Sequence, residues 1–138
     1  MTSVAWDTLG NERALSALER AIITRAAAHA YLFSGPEGVG KLHAALEFAA
    51  ALNCEAQVRP CRLCRSCVDT FAGRHPDVES VAPGGLCDES EHRDHADSRD
   101  LRICQVRRLE RVLSLTAYGG GRRVARSEER RVGKECRL

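Results

Sequence analysis

Apolar positions along the chain switch between helical and strand spacing, and the switches mark out its elements. Asn11 sits at a capping position ahead of Leu15, Leu18, Ile22 and Ala26, a stripe that stays on one helical face and predicts a helix closing near Ala28. Ala30-Tyr31-Leu32-Phe33 is a short apolar run stopped by Ser34-Gly35-Pro36, the form of a buried parallel strand. From Gly40 to Asn53 the chain is rich in Ala and Leu, which predicts a second helix with Leu42, Ala45, Leu46, Ala49 and Leu52 on its buried side. A short helix over Cys64 to Ala72 can close at Gly73, and Asp77 to Ala82 reads as a second strand. Further on, Ile103, Val106, Leu109, Val112 and Leu113 line an amphipathic helix that ends at Gly119-Gly120-Gly121, and Arg122 to Ala125 starts a third strand.

Two stretches break this pattern. Residues 83–100 hold six acidic residues and two histidines, with only Leu86, Cys87 and Ala96 apolar, and are expected to form a flexible acidic loop. Residues 126–138, RSEERRVGKECRL, offer no face that would extend the core. They are expected to be foreign to the fold, as from a frameshift or a chimeric gene, with a natural solvated basic tail as the alternative.

Composition narrows the class. The 138 residues suit about one domain, and 43% hydrophobic residues suffice for a moderate core. Of the net charge of +2, residues 122–138 contribute +4, which leaves −2 for the preceding 121 residues and argues against a basic nucleic-acid-binding body. No apolar run approaches the roughly 20 residues that span a membrane, and MTSVAWD lacks the regions of a signal peptide, so a cytoplasmic location is expected. In that reducing compartment seven cysteines, four of them clustered, favour metal ligation over disulfides.

The strand, glycine loop and helix around GPEGVGKL give the candidate chemistry. In G-x-x-x-x-G-K-[ST], glycines let backbone N–H groups converge on phosphate oxygens while the helix N-terminus adds partial positive charge. Gly35, Gly38, Val39, Gly40, Lys41 and Leu42 are therefore candidate ATP-binding residues, with Lys41 reaching the β and γ phosphates. Leu42 stands where a hydroxyl would ligate Mg²⁺, and His43 lies elsewhere on the helix, so Mg²⁺ coordination is doubtful. Hydrolysis is expected to be weak or absent, and no catalytic residue is assigned.

Cys54, Cys61, Cys64 and Cys67 carry the second signal. Cys61-x2-Cys64-x2-Cys67 with Cys54 upstream offers four thiolates for a closed, structural Zn²⁺ site. Arg59, Arg62 and Arg65 are placed to offset the site's net charge of −2. Iron–sulfur ligation is the rival, although the C-x3-C-P continuation is absent. Cys87, His92 and His95 are read as solvated rather than as a second metal site, and Cys104 as a small apolar core residue.

Together these residues resemble the delta-prime subunit family of the bacterial DNA polymerase III clamp loader, over about residues 4–125. The resemblance rests on Trp6-Asp7-Thr8-Leu9-Gly10-Asn11-Glu12, HAYLFSGPEGVGK from His29 to Lys41, LNC from Leu52 to Cys54 and PCRLCRSC from Pro60 to Cys67. It extends to HPDV from His75 to Val78 and to ICQVRRLERVLSL followed by a glycine turn and Arg123-Val124. The related gamma/tau ATPase subunit shares both motifs, but there Ser or Thr is expected after GK and Gly-Gln at the start. Here Lys41-Leu42 and Gly10-Asn11 favour delta-prime, whose loops are often impaired.

The resemblance implies an α/β fold of the P-loop AAA+ type, a three-layer parallel sheet with an inserted zinc module at 54–67. It makes residues 1–125 the N-terminal part of a nucleotide-binding domain, truncated relative to the family. The implied role is a scaffold subunit of the DNA polymerase III holoenzyme that helps load the sliding clamp on primed DNA, with delta and gamma/tau subunits as partners and no membrane. The family's arginine for a neighbour's ATP site, its Walker B strand and its lid and collar would lie beyond Ala125. Glu128 and Glu129 follow Arg-Ser rather than an apolar run and are read as solvated. Two other classes remain open: a small nucleotide kinase with a zinc-bearing lid, and a zinc-stabilised interaction module that binds no nucleotide.

Overall fold

The computed structural model describes residues 1–85, 87 and 98–127. The acidic loop from residue 88 to 97, with His92 and His95, lies outside the described residues, as does the tail from residue 128, with Glu128 and Glu129. The elements run β1 (Ser3–Val4), α1 (Glu12–Ile23), α2 (Lys41–Asn53), β2 (Val58–Arg59), α3 (Arg65–Phe71), β3 (Val78–Val81), α4 (Ile103–Ser114) and β4 (Val124–Ser127). This is a mixed α/β fold with two small parallel sheets, β1 with β2 and β3 with β4. Among the described residues no helix is long and apolar enough to cross a membrane.

Helix α1 buries Leu15, Leu18 and Ile22, as its stripe predicts, but stops five residues before Ala28. Arg25 turns left-handed at φ 54°, and the Ala26 and Arg25 N–H groups bond back to the Ala21 and Ile22 carbonyls at 3.1 and 3.2 Å. That closing turn satisfies the last carbonyls and leads the chain away. Asn11 occupies the N-cap position, yet its side chain makes no capping bond; its backbone carbonyl accepts from Ala14 and Leu15 instead.

Helix α2 departs further from its expected pattern. Its buried residues are Ala44, Glu47, Phe48, Ala49, Ala50 and Ala51, while Leu42 is exposed. The helix is packed on two sides, so no single apolar stripe exists to be read. Phe48 and Ala51 join Leu18 and Ile22 in one core, flanked by Val4, Trp6, Phe33 and Leu52. Ala50 joins Cys54 and Cys67 in a second core. Alanines permit both approaches because they place little volume between neighbouring backbones. Residues 30–33, expected as a strand, form no ladder among the described residues, although Phe33 packs on the first core.

Strands β3 and β4 pair in register Val78 with Val124 through Val81 with Ser127. The ladder continues two residues past Ala125, into the segment expected to lack strand structure. Between them in sequence, α4 turns inward a face of mixed polarity, with Cys104 and Gln105 buried and Arg108, Leu109 and Val112 partly so. Gln105 is buried and its side-chain amide donates to the Ala82 carbonyl at 3.0 Å, while Arg108 pairs with Glu79. The expected stripe is therefore turned partly to solvent, with Ile103, Val106 and Leu113 exposed, whereas Cys104 is buried as expected.

Asp77, 2% exposed, fixes the return into β4. Its carboxylate accepts from the Tyr118 and Gly119 N–H groups at 2.8 and 3.0 Å, with Arg123 at 3.6 Å. Burial alone pushes this carboxyl up, but the Gly119 and Tyr118 donors and the Arg123 charge bring it below its ordinary 3.8. A lowered folded-state pKa adds stability above the unfolded value, and that stability is lost as pH falls through the folded one. Asp77→Asn is expected to lose about 1–3 kcal/mol at pH 7, because the amide opposes the two backbone donors. In urea titrations the gap from the wild type should close as pH drops below about 4.

Candidate functional site

The phosphate-loop residues come together at the start of α2. Gly38 and Gly40 have φ of 78° and 86°, a region that residues with a Cβ rarely enter, so the loop can turn tightly into the helix. The Lys41 ammonium folds back over this turn and donates to the Gly35 and Pro36 carbonyls at 2.8 and 2.6 Å. Val39 closes the inner side, where a Cβ on Gly35 would come 3.5 Å from its Cγ1. The first turn of α2 contains no acidic residue, so the positive end of the helix is not neutralised there. Leu42, 42% exposed, presents only carbon at the position after Lys41.

The far end of α2 leads to the cysteines. Cys54 follows the helix, β2 and a cis Arg59–Pro60 peptide bring the chain to Cys61, and Cys64 and Cys67 sit at the start of α3. The four sulfurs lie within 4.8 Å of one another, and none is in a disulfide. A tetrahedral zinc with Zn–S bonds of about 2.3 Å needs sulfurs roughly 3.8 Å apart, a spacing that this grouping admits. The cluster could therefore hold zinc.

Backbone N–H groups, rather than the flanking arginines, face the sulfurs. Cys64 N–H approaches the Cys61 sulfur at 3.3 Å and Cys67 N–H the Cys64 sulfur at 3.4 Å. Hydrogen bonds from the Cys64 and Leu63 backbones bring the Cys61 thiol down to about 6, whereas burial pushes Cys67 up. The expected role of the three arginines is thus corrected. Arg65 is exposed beside Asp69, Arg59 bonds the Ala56 carbonyl at 2.9 Å, and Arg62 turns to a carboxylate.

That carboxylate, Glu47, was missed in the sequence. It is fully buried on α2 between the two motifs. It accepts from the Asp7 N–H at 2.7 Å, the Thr8 N–H at 3.1 Å, the Thr8 hydroxyl at 2.6 Å and Arg62 Nη2 at 2.5 Å. Arg62 Nε also meets Asp7 at 2.9 Å. Asp7, His43 and Glu47 group closely enough to suggest a cation, and the Arg62 guanidinium already pairs with the two carboxylates. Burial raises the Glu47 carboxyl, but the Thr8 hydroxyl and the Asp7 and Thr8 N–H groups outweigh it and the net shift is downward. The available signal was a lone acid within an otherwise apolar helix segment.

Comparison with known proteins covers nearly the whole described chain. The family described as DNA polymerase III, delta subunit, matches residues 10–126. The delta' subunit of DNA polymerase III from Bacillus subtilis is 38% identical over 87 residues, covering 61% of this chain and 26% of the relative. The tau subunit from the same organism is 40% identical over 93 residues, 66% of this chain and 16% of the relative. Protein STICHEL-like 3 of Arabidopsis thaliana is 38% identical over 105 residues, 75% of this chain and 10% of the relative. The chain thus spans about a quarter or less of the length of these relatives.

Glu47→Ala would take the acceptor from the Asp7 and Thr8 N–H groups and the Thr8 hydroxyl, while Arg62 keeps Asp7 and the Ala5 carbonyl. A loss of about 1–3 kcal/mol is expected from chemical denaturation, the cost of leaving buried donors without an acceptor.

Proposed function

We propose, because the chain belongs to the family of the DNA polymerase III delta subunit, that it works as a clamp-loader subunit in DNA replication. On this reading the described residues are part of a P-loop AAA+ core whose parallel sheet is sandwiched between helices. The subunit would assemble with delta and gamma/tau subunits and act on the sliding clamp and primed DNA through that assembly. The observation that carries the reading is the juxtaposition on α2, with a glycine loop and Lys41 at one end and four clustered sulfurs at the other, inside the span matched by the family.

Leu42 favours the delta' over the tau reading. A phosphate loop that closes on Mg²⁺ needs an oxygen at this position, and an isobutyl group supplies none. Gly35, Gly38, Val39, Gly40 and Lys41 would then hold a nucleotide's phosphates by backbone N–H groups and one ammonium, without efficient turnover. Cys54, Cys61, Cys64 and Cys67 would hold one structural zinc, which supplies cross-linking rather than catalysis.

Three measurements test this. Elemental analysis should find one zinc per chain, and Cys67→Ser should lose it together with a large part of the stability, since binding energy on the order of 10 kcal/mol is coupled to folding. A fluorescent ATP analogue should bind saturably and lose binding in Lys41→Ala, while ATP turnover stays far below that of ordinary P-loop ATPases; comparable turnover would overturn the scaffold role. Co-purification with the delta and gamma/tau subunits of the same organism tests the assembly, and failure to join them would remove the clamp-loader reading.

A further inference from the structure

One residue touches both motifs. Arg62 lies between Cys61 and Cys64 and is held at φ 59°, which the short turn between the cysteines imposes on a residue that otherwise avoids it. Its backbone amide lies close enough to the Cys67 sulfur to favour the thiolate. Its side chain points the other way, to Glu47 at 2.5 Å, to Asp7 at 2.9 Å and to the Ala5 carbonyl at 3.3 Å. Glu47 in turn grips Thr8 through both its N–H and its hydroxyl, at 3.1 and 2.6 Å. Thr8 also neighbours Gly40, the residue before Lys41: a Cβ added there would meet the Thr8 methyl at 3.8 Å. The backbone runs in parallel with this route. Ser3 and Ala5 donate to the Gln57 and Arg59 carbonyls at 2.9 Å each, joining the leading segment to the approach of the cysteine turn.

We propose that Arg62 is a positioning residue that couples the four-cysteine cluster to the phosphate loop, so that metal and nucleotide each bind more tightly in the presence of the other. The inference rests on the zinc and nucleotide readings above. Four sulfurs drawn together fix the turn that holds Arg62 left-handed, and so aim its guanidinium at Glu47. With Glu47 engaged, Asp7 and Thr8 stay docked and Gly40 keeps the neighbour that shapes the loop. Released sulfurs let Arg62 return to an ordinary conformation, and its hold on Glu47 and Asp7 goes with it. Coupling of this kind is reciprocal in binding free energy, so it can be read from either site.

The test uses the full chain and two probes, Zn²⁺ titrated against a chromophoric chelator and a fluorescent ATP analogue. In the wild type, saturating analogue is expected to tighten zinc binding by about fivefold or more, within the usual range of coupled sites. Arg62→Met keeps the four cysteines and much of the stem. It should still bind one zinc and the analogue, with zinc affinity changing less than twofold on adding analogue. If that variant does not fold, Arg62→Lys, which keeps the charge but lacks the planar fork that spans Glu47 and Asp7, must show a clear fall in coupling. Wild-type affinities that ignore each other would overturn the coupling while leaving both sites intact. Coupling that survives in the variant at its wild-type size would show that metal merely stabilises the whole fold, which also overturns the role of Arg62. A wild type that binds no zinc or no analogue in its single titrations would remove the underlying reading and this inference with it.

Discussion

The buried carboxylate of Glu47 is the constraint on which the arrangement depends. A charge taken out of water is costly unless every lone pair finds a donor, and the donors must be brought to it. Here they come from two distant places, Asp7 and Thr8 in the leading segment, 40 and 39 residues before it in sequence, and Arg62 in the cysteine turn, 15 after it. Satisfying this one group therefore sets where the leading segment lies, which way the cysteine turn faces and how α2 is rotated. The same group explains why a helix whose middle, residues 44–52, is otherwise alanine, leucine and phenylalanine tolerates an acid at its centre.

Helix α2 is consequently a spine rather than a layer. One side shares a core with α1, the other with the cysteine cluster, and its two ends carry the phosphate loop and Cys54. Small residues allow both packings, and the loss of large side chains is compensated by contact on two faces. The second unit, built from β3, α4 and β4, uses a similar device on a smaller scale. Asp77 gathers the Tyr118 and Gly119 N–H groups and Arg123, and the Arg122 N–H reaches the Asn53 side chain at the end of α2 at 2.8 Å. A buried acid with converging donors thus orders each unit.

The apolar pattern revealed most elements but not their rotation. Helix α1 follows its stripe because one face packs and the other is solvated. Helix α4 does not, since Gln105 and Arg108 find partners on the β3 side and outweigh the burial of Ile103 and Val106. Pairing of residues 30–33 was not readable either: a strand needs a neighbour to form a ladder, and none of the described residues supplies one to that run. The cysteine spacing and the glycine loop were legible because both depend on chemistry fixed within a few residues. The role of Arg62 was misjudged for the opposite reason, as nearness in sequence to the sulfurs placed its backbone beside them while its side chain went elsewhere.

By itself the sequence determined the local chemistry: the turn formed by the glycines before α2, the ammonium at its start, the absence of an oxygen at Leu42, and four thiols at ligand spacing. These follow from residue type and short-range geometry, where the chain has few alternatives. Tertiary structure alone decided that the leading segment, α2 and the cysteine turn meet at Glu47, and that the sulfurs converge while the arginines between them point away. Such choices depend on desolvation, which is settled only when distant groups are buried together and each polar atom must find its partner.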